Sequence, residues 1–419
     1  MEAALEKISV AVRNLGPIFR TKLFSEEIVV LNSPEYSQHV LKSKEMGHLP
    51  KPYLLYETLH DMLGNGLILS QGEYWHSQRK LLSKGFTYGA LRSYTKIYNK
   101  CAKRFVGDLG KLFEGENRYE YQQINTMIHL CGIQIITEVV MGLDTWKDKE
   151  EAERVADSFT SLKNIAFQRI RQGLGLLWDP IWKLHPLGRE YRRNVRDIDN
   201  VIQNLIARYR TINGEQEIKH SKRIVNISEP SKSDDDDDYE APQFDNMLEM
   251  MFKAGLTEKQ IVAEVKTLIW AGYETTSTAT HFLLFLLASN KEHQDACREE
   301  VDRIFNDTKL CPTSGELTLE ALSEMKQLER CLFETLRMIP VIGSVTRKLE
   351  SPLKIPGDEN LEIPAGINVN VPMGLHHRLP EYFPNPEKFD PDRFLPENSA
   401  RRQPTLLFLF RLDQGTALV

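Results

Sequence analysis

Apolar residues recur at spacings of three and four through Tyr94–Leu112, Asn125–Met141, Ile198–Arg210 and Glu320–Arg337, the period of helices with one buried face. The longest such stretch, roughly Phe244–Ser289, is polar early and almost wholly apolar late, in HFLLFLLAS (His281–Ser289). A helix apolar on every side belongs in the middle of a large domain. Strand signals are few: Ile28–Leu31, then Leu353–Ile355 and Ile363–Val371, with Pro364-Ala365-Gly366 punctuating the last. The pattern predicts a mainly α fold with a small β region. No apolar run approaches the roughly 20 residues that a membrane span needs.

Composition narrows this further. No segment repeats and no Gly/Ser linker divides the 419 residues, and with 41% hydrophobic residues a single large domain is expected. A net charge of −6 argues against general nucleic-acid binding. The five cysteines lie far apart without a CxxC pair, as reduced thiols and not a disulfide framework or zinc site. The opening MEAALEKISVAVRNLG is too short and too charged for a spanning helix or a signal peptide. Ser228–Pro242 holds five consecutive aspartates, Asp234–Asp238, which repel one another and predict a solvated loop.

Three stretches carry candidate chemistry. In IWAGYETTST (Ile269–Thr278), Ala271 and Gly272 remove bulk, so something flat could approach the helix. Glu274 beside Thr275 and Thr276 then pairs an acid with alcohols, as a proton relay would. The same residues also read as a helix crossing with satisfied threonines, each hydroxyl bonded to a carbonyl upstream. Glu334 and Arg337 share a helix face amid Leu332, Phe333, Leu336 and Met338, and a buried pair needs a further partner, which Arg393 of FDPDRF could supply. Glu151/Arg154, Glu190/Arg193 and Glu300/Arg303 show the same spacing and read as surface pairs. Trp75 and Arg79, four apart in WHSQRK, suit a carboxylate or phosphate, or are an anchor tryptophan beside a surface arginine. His376 and His377 point to opposite sides of an extended segment and are not read as metal ligands.

The order of these motifs is more informative than any one of them. AGYETT, ETLR, then Arg347 ten residues beyond Arg337, then HHRLPEYFPNPEKFDPDRF, with WHSQR upstream, resembles the haem-thiolate monooxygenases of the cytochrome P450 family, in the microsomal branch similar to family 4. The resemblance implies the cytochrome P450 fold and a haem b cofactor. Glu274, Thr275, Ala271 and Gly272 would form the oxygen-activation groove, with Glu274 and Thr275 catalytic. Trp75, Arg79 and Arg347 would bind the haem propionates, and Glu334, Arg337 and Arg393 would form a structural triad. It further implies oxygen insertion from dioxygen into a C–H bond of a lipophilic substrate: a fatty acid, hormone or xenobiotic. NADPH would supply electrons through a flavoprotein reductase, with cytochrome b5 as a second partner, at the cytosolic face of the endoplasmic reticulum. Ala271 stands where some members carry a glutamate that esterifies haem, so covalent attachment is not expected.

Two departures accompany the resemblance. The hydrophobic N-terminal anchor is absent, and no cysteine follows Cys331, so none stands in the expected haem-ligating loop, F-x-x-G-x-R-x-C-x-G. The P450 domain is thus expected over 1–402, incomplete at both ends, with no metal ligand. The tail 403–419 is read as out of frame: back-translated with permitted codons and shifted by one base, Arg411–Val419 becomes Ser-Ala-Gly-Pro-Arg-Asn-Cys-Ile-Gly. A catalytically inactive, haem-poor fragment is the rival reading for the polypeptide.

Overall fold

The helix expected from Phe244 to Ser289 is two helices, Met247–Lys253 and Glu258–Ser289, because of what stands between them. Gly255 takes φ +76, a left-handed conformation that ends the first. Thr257 and Gln260 then start the second. The Thr257 N–H donates to Gln260 Oε1 at 2.9 Å, and the Gln260 N–H donates to Thr257 Oγ1 at 3.4 Å, a reciprocal capping box. The expected helix Glu320–Arg337 is likewise split, into Leu319–Ser323 and Lys326–Met338.

The computed structural model describes residues 15–23, 26–42, 49–114, 124–144, 149–172, 178–213, 244–312, 315–355 and 361–399, with backbone alone at 53–57 and 149. The aspartate-rich segment 228–242 and the tail 403–419 lie outside them. The elements used below are β1 (Ile18–Leu23), β2 (Glu26–Leu31), α1 (Gly72–Ser83), α2 (Tyr88–Phe113), α3 (Ile124–Met141), α4 (Lys149–Gln172), α5 (Pro186–Asn213), α6 (Glu258–Ser289), α7 (Lys291–Asn306), α8 (Lys326–Met338), β3 (Val345–Lys348), β4 (Leu353–Lys354), β5 (Glu362–Ile363) and β6 (Asn368–Val371). Helix dominates and the sheet is small, as the periodicity predicts.

The chain groups into two compact units. The first comprises Met1–Tyr56, Thr278–Asp307 and Ser323–Val419. It holds a four-stranded sheet in the order β1-β2-β6-β3, in which β2 and β6 run parallel and the other pairs antiparallel. β4 and β5 form a separate antiparallel pair. Leu31, Val40, Leu349, Val369, Val371 and Met373 form the core against this sheet. Leu286, Leu287, Met338 and Phe389 belong to a second cluster, with Cys297 and Cys331 inside it. The apolar end of α6 is not buried all round, as its composition suggested: Leu284 is 41% and Phe285 56% exposed. Only part of its circumference, including Leu286 and Leu287, meets the cluster.

His376 contributes a pH dependence to this unit. It is buried, its Nε2 lies 3.0 Å from the Leu31 carbonyl, and burial pushes its pKa down to about 4. The unfolded chain takes up this proton near the ordinary histidine value, so stability is lost as pH falls from about 6.5 towards about 4. The full effect is on the order of 3 kcal/mol. Urea midpoints across that window should fall more steeply for the wild type than for His376→Gln; equal slopes would contradict the assignment.

The second unit comprises Glu57–Ser277 and Thr308–Leu322. α2 packs on α3, and α4 on α5. Contrary to the expectation that no such stretch exists, α3 is long and apolar enough to cross a membrane. Among the described residues it is a core helix, burying Ile128, Leu130, Ile133, Val139 and Val140. α6 enters this unit with Glu264 and Lys266 both buried. Glu264 Oε2 accepts from the Leu67 N–H at 2.9 Å, and Lys266 Nζ reaches Asp199 Oδ1 at 2.8 Å. Each buried charge is therefore partnered, as low dielectric requires. Gly66 lies so close to α6 that a Cβ there would stand 2.2 Å from Thr267 Oγ1.

Candidate functional site

Glu334 and Arg337 occupy one face of α8, three residues apart, and both are fully buried. Arg337 grips the carboxylate with two donors, Nε to Oε2 at 2.6 Å and Nη2 to Oε1 at 2.9 Å. Arg393 Nε joins at 3.2 Å and the Asp390 N–H at 2.8 Å, both on Oε1. Two further guanidinium donors meet backbone carbonyls: Arg337 Nη1 that of His377 at 2.9 Å, and Arg393 Nη2 that of Asn385 at 2.9 Å. The expected triad is thus brought together, and it fastens the proline-rich segment 377–393 to α8.

Spacing alone does not make such a pair. Among the described residues, Glu151 faces Arg208 at 3.6 Å instead of Arg154. Glu190 accepts from Ser161 at 3.2 Å, and Glu300 accepts the Gln327 and Leu328 N–H groups at 2.7 and 3.0 Å. The surface-pair reading of those three glutamates is corrected accordingly. Each acid has a tertiary partner that its own helix could not announce.

On α6, Thr275 Oγ1 donates to the Ala271 carbonyl at 2.7 Å, and Thr276 Oγ1 to that of Gly272 at 2.5 Å. Both threonines are satisfied in this state. Gly272 has an immediate packing reason, since a Cβ there would stand 2.6 Å from Ile136 Cγ1 of α3. Glu274 is mostly buried and forms an ion pair with Lys163 of α4. Its other oxygen, Oε2, is buried without a hydrogen bond of normal geometry among the described residues. Beside it Tyr273 is fully buried; burial, reinforced by the Glu274 charge, raises its phenol pKa. Lys163 was not foreseen, and nothing in the sequence links it to Glu274, 111 positions away.

The three residues expected at the haem propionates divide between the units. Trp75 and Arg79 lie on α1 in the second, both half-buried. Arg347 lies on β3 in the first, with its α-carbon opposite Val369 of β6. Burial lowers the pKa of the Arg347 and Arg79 guanidinium groups, and neither makes an ion pair among the described residues. Arg347 is 9% exposed, its Nε has no hydrogen-bond partner, and its Nη1 reaches only the Thr346 carbonyl at 3.0 Å. A desolvated arginine without an acid is a receptor for an anionic group. By itself the Arg347 guanidinium fits an anionic group such as a haem carboxylate.

The cytochrome P450 family model matches residues 4–409. The chain belongs to the cytochrome P450 family. Among curated proteins, this P450 is 30% identical to taurochenodeoxycholic 6 alpha-hydroxylase of Sus scrofa, over 89% of the chain and 69% of that protein. It is 30% identical to cytochrome P450 4V2 of Homo sapiens, over 93% of the chain and 69% of the relative. It is 29% identical to cytochrome P450 4c3 of Drosophila melanogaster, over 90% and 68%. The relatives place this P450 with family 4, and its family is one of haem-dependent monooxygenases. The fold class expected from the motifs is thereby established.

Proposed function

We propose that the protein inserts one oxygen atom from dioxygen into a C–H bond of a lipophilic substrate: a fatty acid, hormone or xenobiotic. The buried guanidinium of Arg347, which faces no acid among the described residues, carries this reading, because it supplies the charge that a haem carboxylate needs. Haem b, when bound, supplies dioxygen activation. The chain supplies the rest. Arg347 and Arg79 would hold the propionates, with Trp75 as a further donor. Ala271 would keep the adjoining face of α6 free of bulk, while the neighbouring Gly272 lets α6 approach Ile136 of α3.

Glu274 holds a carboxylate at the same helix, restrained by Lys163 and with Oε2 available to take or give a proton. The Thr275 hydroxyl, one residue on, can exchange its bond to the Ala271 carbonyl for one to a reacting oxygen. Proton delivery by such a positioned acid is worth roughly 10²–10⁴ in rate. The apolar stretch around Tyr53–Leu69, in which Leu67 and Leu69 are buried, would contribute to the substrate contacts. NADPH supplies electrons through a reductase, with cytochrome b5 as a second donor. Lys80 and Lys84, both exposed beside Arg79, offer a basic docking patch. The endoplasmic reticulum membrane, at its cytosolic face, is the proposed location.

The reduced-minus-CO difference spectrum of the haem-loaded protein tests this reading. Expressed with its tail in the frame that encodes the cysteine loop, the protein should give a thiolate-shifted Soret band. An unshifted band in that form contradicts the reading, and the sequence as it stands, with no cysteine beyond Cys331, should give no such shift. Arg347→Leu should weaken haem retention about ten- to hundredfold, from loss of charge-assisted hydrogen bonds. Haem content per polypeptide after gel filtration measures that loss.

A further inference from the structure

Cys297 on α7 and Cys331 on α8 are 34 residues apart in sequence, yet their sulfurs stand 3.6 Å from each other. Both belong to the first unit, within the cluster formed with Leu286, Leu287, Met338 and Phe389. The approach is built, because Glu300, one turn beyond Cys297, accepts the Gln327 and Leu328 N–H groups at the start of α8. Carboxylate and thiol are successive rungs between the same two helices. The Gln327 side-chain amide lies 3.7 Å from Cys331 Sγ. No function described above uses this pair.

The two sulfurs are not equivalent. The Cys331 thiol stabilises the Cys297 thiolate by hydrogen bonding and so lowers the Cys297 pKa. Facing that sulfur in an apolar site raises the pKa of Cys331. Cys297 is also the more open, at 6% exposure against 0%. Nucleophilic thiol chemistry belongs to the thiolate. Cys101 and Cys131 differ: burial raises them to about 12 and about 11.

We propose that Cys297 and Cys331 form a modification site for hydrogen peroxide, closing reversibly to a disulfide that ties α7 to α8. The Cys297 thiolate attacks one peroxide oxygen, the O–O bond breaks, and the sulfenic acid forms with release of hydroxide. Cys331 sulfur then attacks the sulfenic sulfur; its proton and the departing hydroxyl leave as water. Two thiols and one peroxide give one disulfide and two waters. From 3.6 Å the sulfurs must approach by about 1.5 Å to reach bonding distance. A dithiol reductant reverses the step by exchange.

The full chain, folded and exposed to hydrogen peroxide, is quenched with acid, denatured, alkylated and mapped by mass spectrometry. Alkylatable cysteines should fall from five to three, with a linked Cys297–Cys331 peptide pair, and dithiothreitol should restore all five. Cys331→Ser should stop at a sulfenic acid on Cys297, trapped by dimedone. If that variant does not fold, the wild-type map decides alone. Cys297 and Cys331 remaining free after peroxide, or pairing indiscriminately with Cys101, Cys131 or Cys311, would overturn the proposal.

Discussion

Glu334→Ala is expected to yield no cooperatively folded protein. The substitution leaves Arg337, which is fully buried, and Arg393, 7% exposed, facing no acid, while the Asp390 N–H loses its acceptor. Removing one partner of a buried ion pair costs about 3–5 kcal/mol. A folded domain holds only about 5–15 kcal/mol in total. The loss here extends beyond one pair, because the same carboxylate fastens segment 377–393 to α8. Glu329→Ala is the matched control on the same helix: its exposed bond to Lys326 at 3.3 Å should be worth less than about 1 kcal/mol. Soluble yield and a thermal melt separate the two. A Glu334→Ala protein that melts within a few degrees of the wild type would contradict the account of the triad.

In the form that carries the cysteine loop, Glu274→Gln should lower turnover of the haem-loaded protein by about 10²-fold or more while leaving haem content unchanged. Glutamine keeps the size of the side chain and can still bond to Lys163, but it cannot carry a proton. Thr275→Ala should act in the same direction, because it removes the adjoining hydroxyl without opening a large cavity. The distinction from a structural role lies in the split of readouts. A packing defect would lower haem content and melting temperature together, whereas loss of a proton carrier lowers turnover alone. Turnover of Glu274→Gln within a few-fold of wild type would remove the residue from the chemistry.

The triad is legible in the sequence because its members sit in two short motifs, ETLR and FDPDRF, and apolar neighbours announce its burial. α2, α3 and the second half of α5 are legible for a similar reason, since periods of three and four persist over many turns, whereas α4 is not among the helices the pattern predicts. Helix breaks are less so. Gly255 and the Thr257/Gln260 box lie inside a stretch whose apolar period continues on both sides. β1 and β3 escape the strand pattern: IFRTKL mixes charge into a strand that, among the described residues, pairs only with β2, and VTRK is four residues long.

Partnerships set by tertiary packing leave no local trace. Lys163 is one lysine among many until α4 brings it to Glu274. Cys297 and Cys331 lack any spacing signature, although both carry the helical period of a buried face. Gly272 shows the converse. Its lack of a side chain points to room for a flat ligand, and its Cα faces Ile136 of α3. A glycine on a buried helix declares a close approach without naming what approaches.

Arginines that await carboxylates are central to the proposed function, and haem itself can be offered with or without its acids. Titration of the protein with haem and with haem dimethyl ester, which lacks both carboxylates, is the most direct measurement. The diacid should bind at least tenfold more tightly to the wild type, and Arg347→Leu should erase most of that preference. Equal affinity of the wild type for the two would contradict the assignment of Arg347 and Arg79.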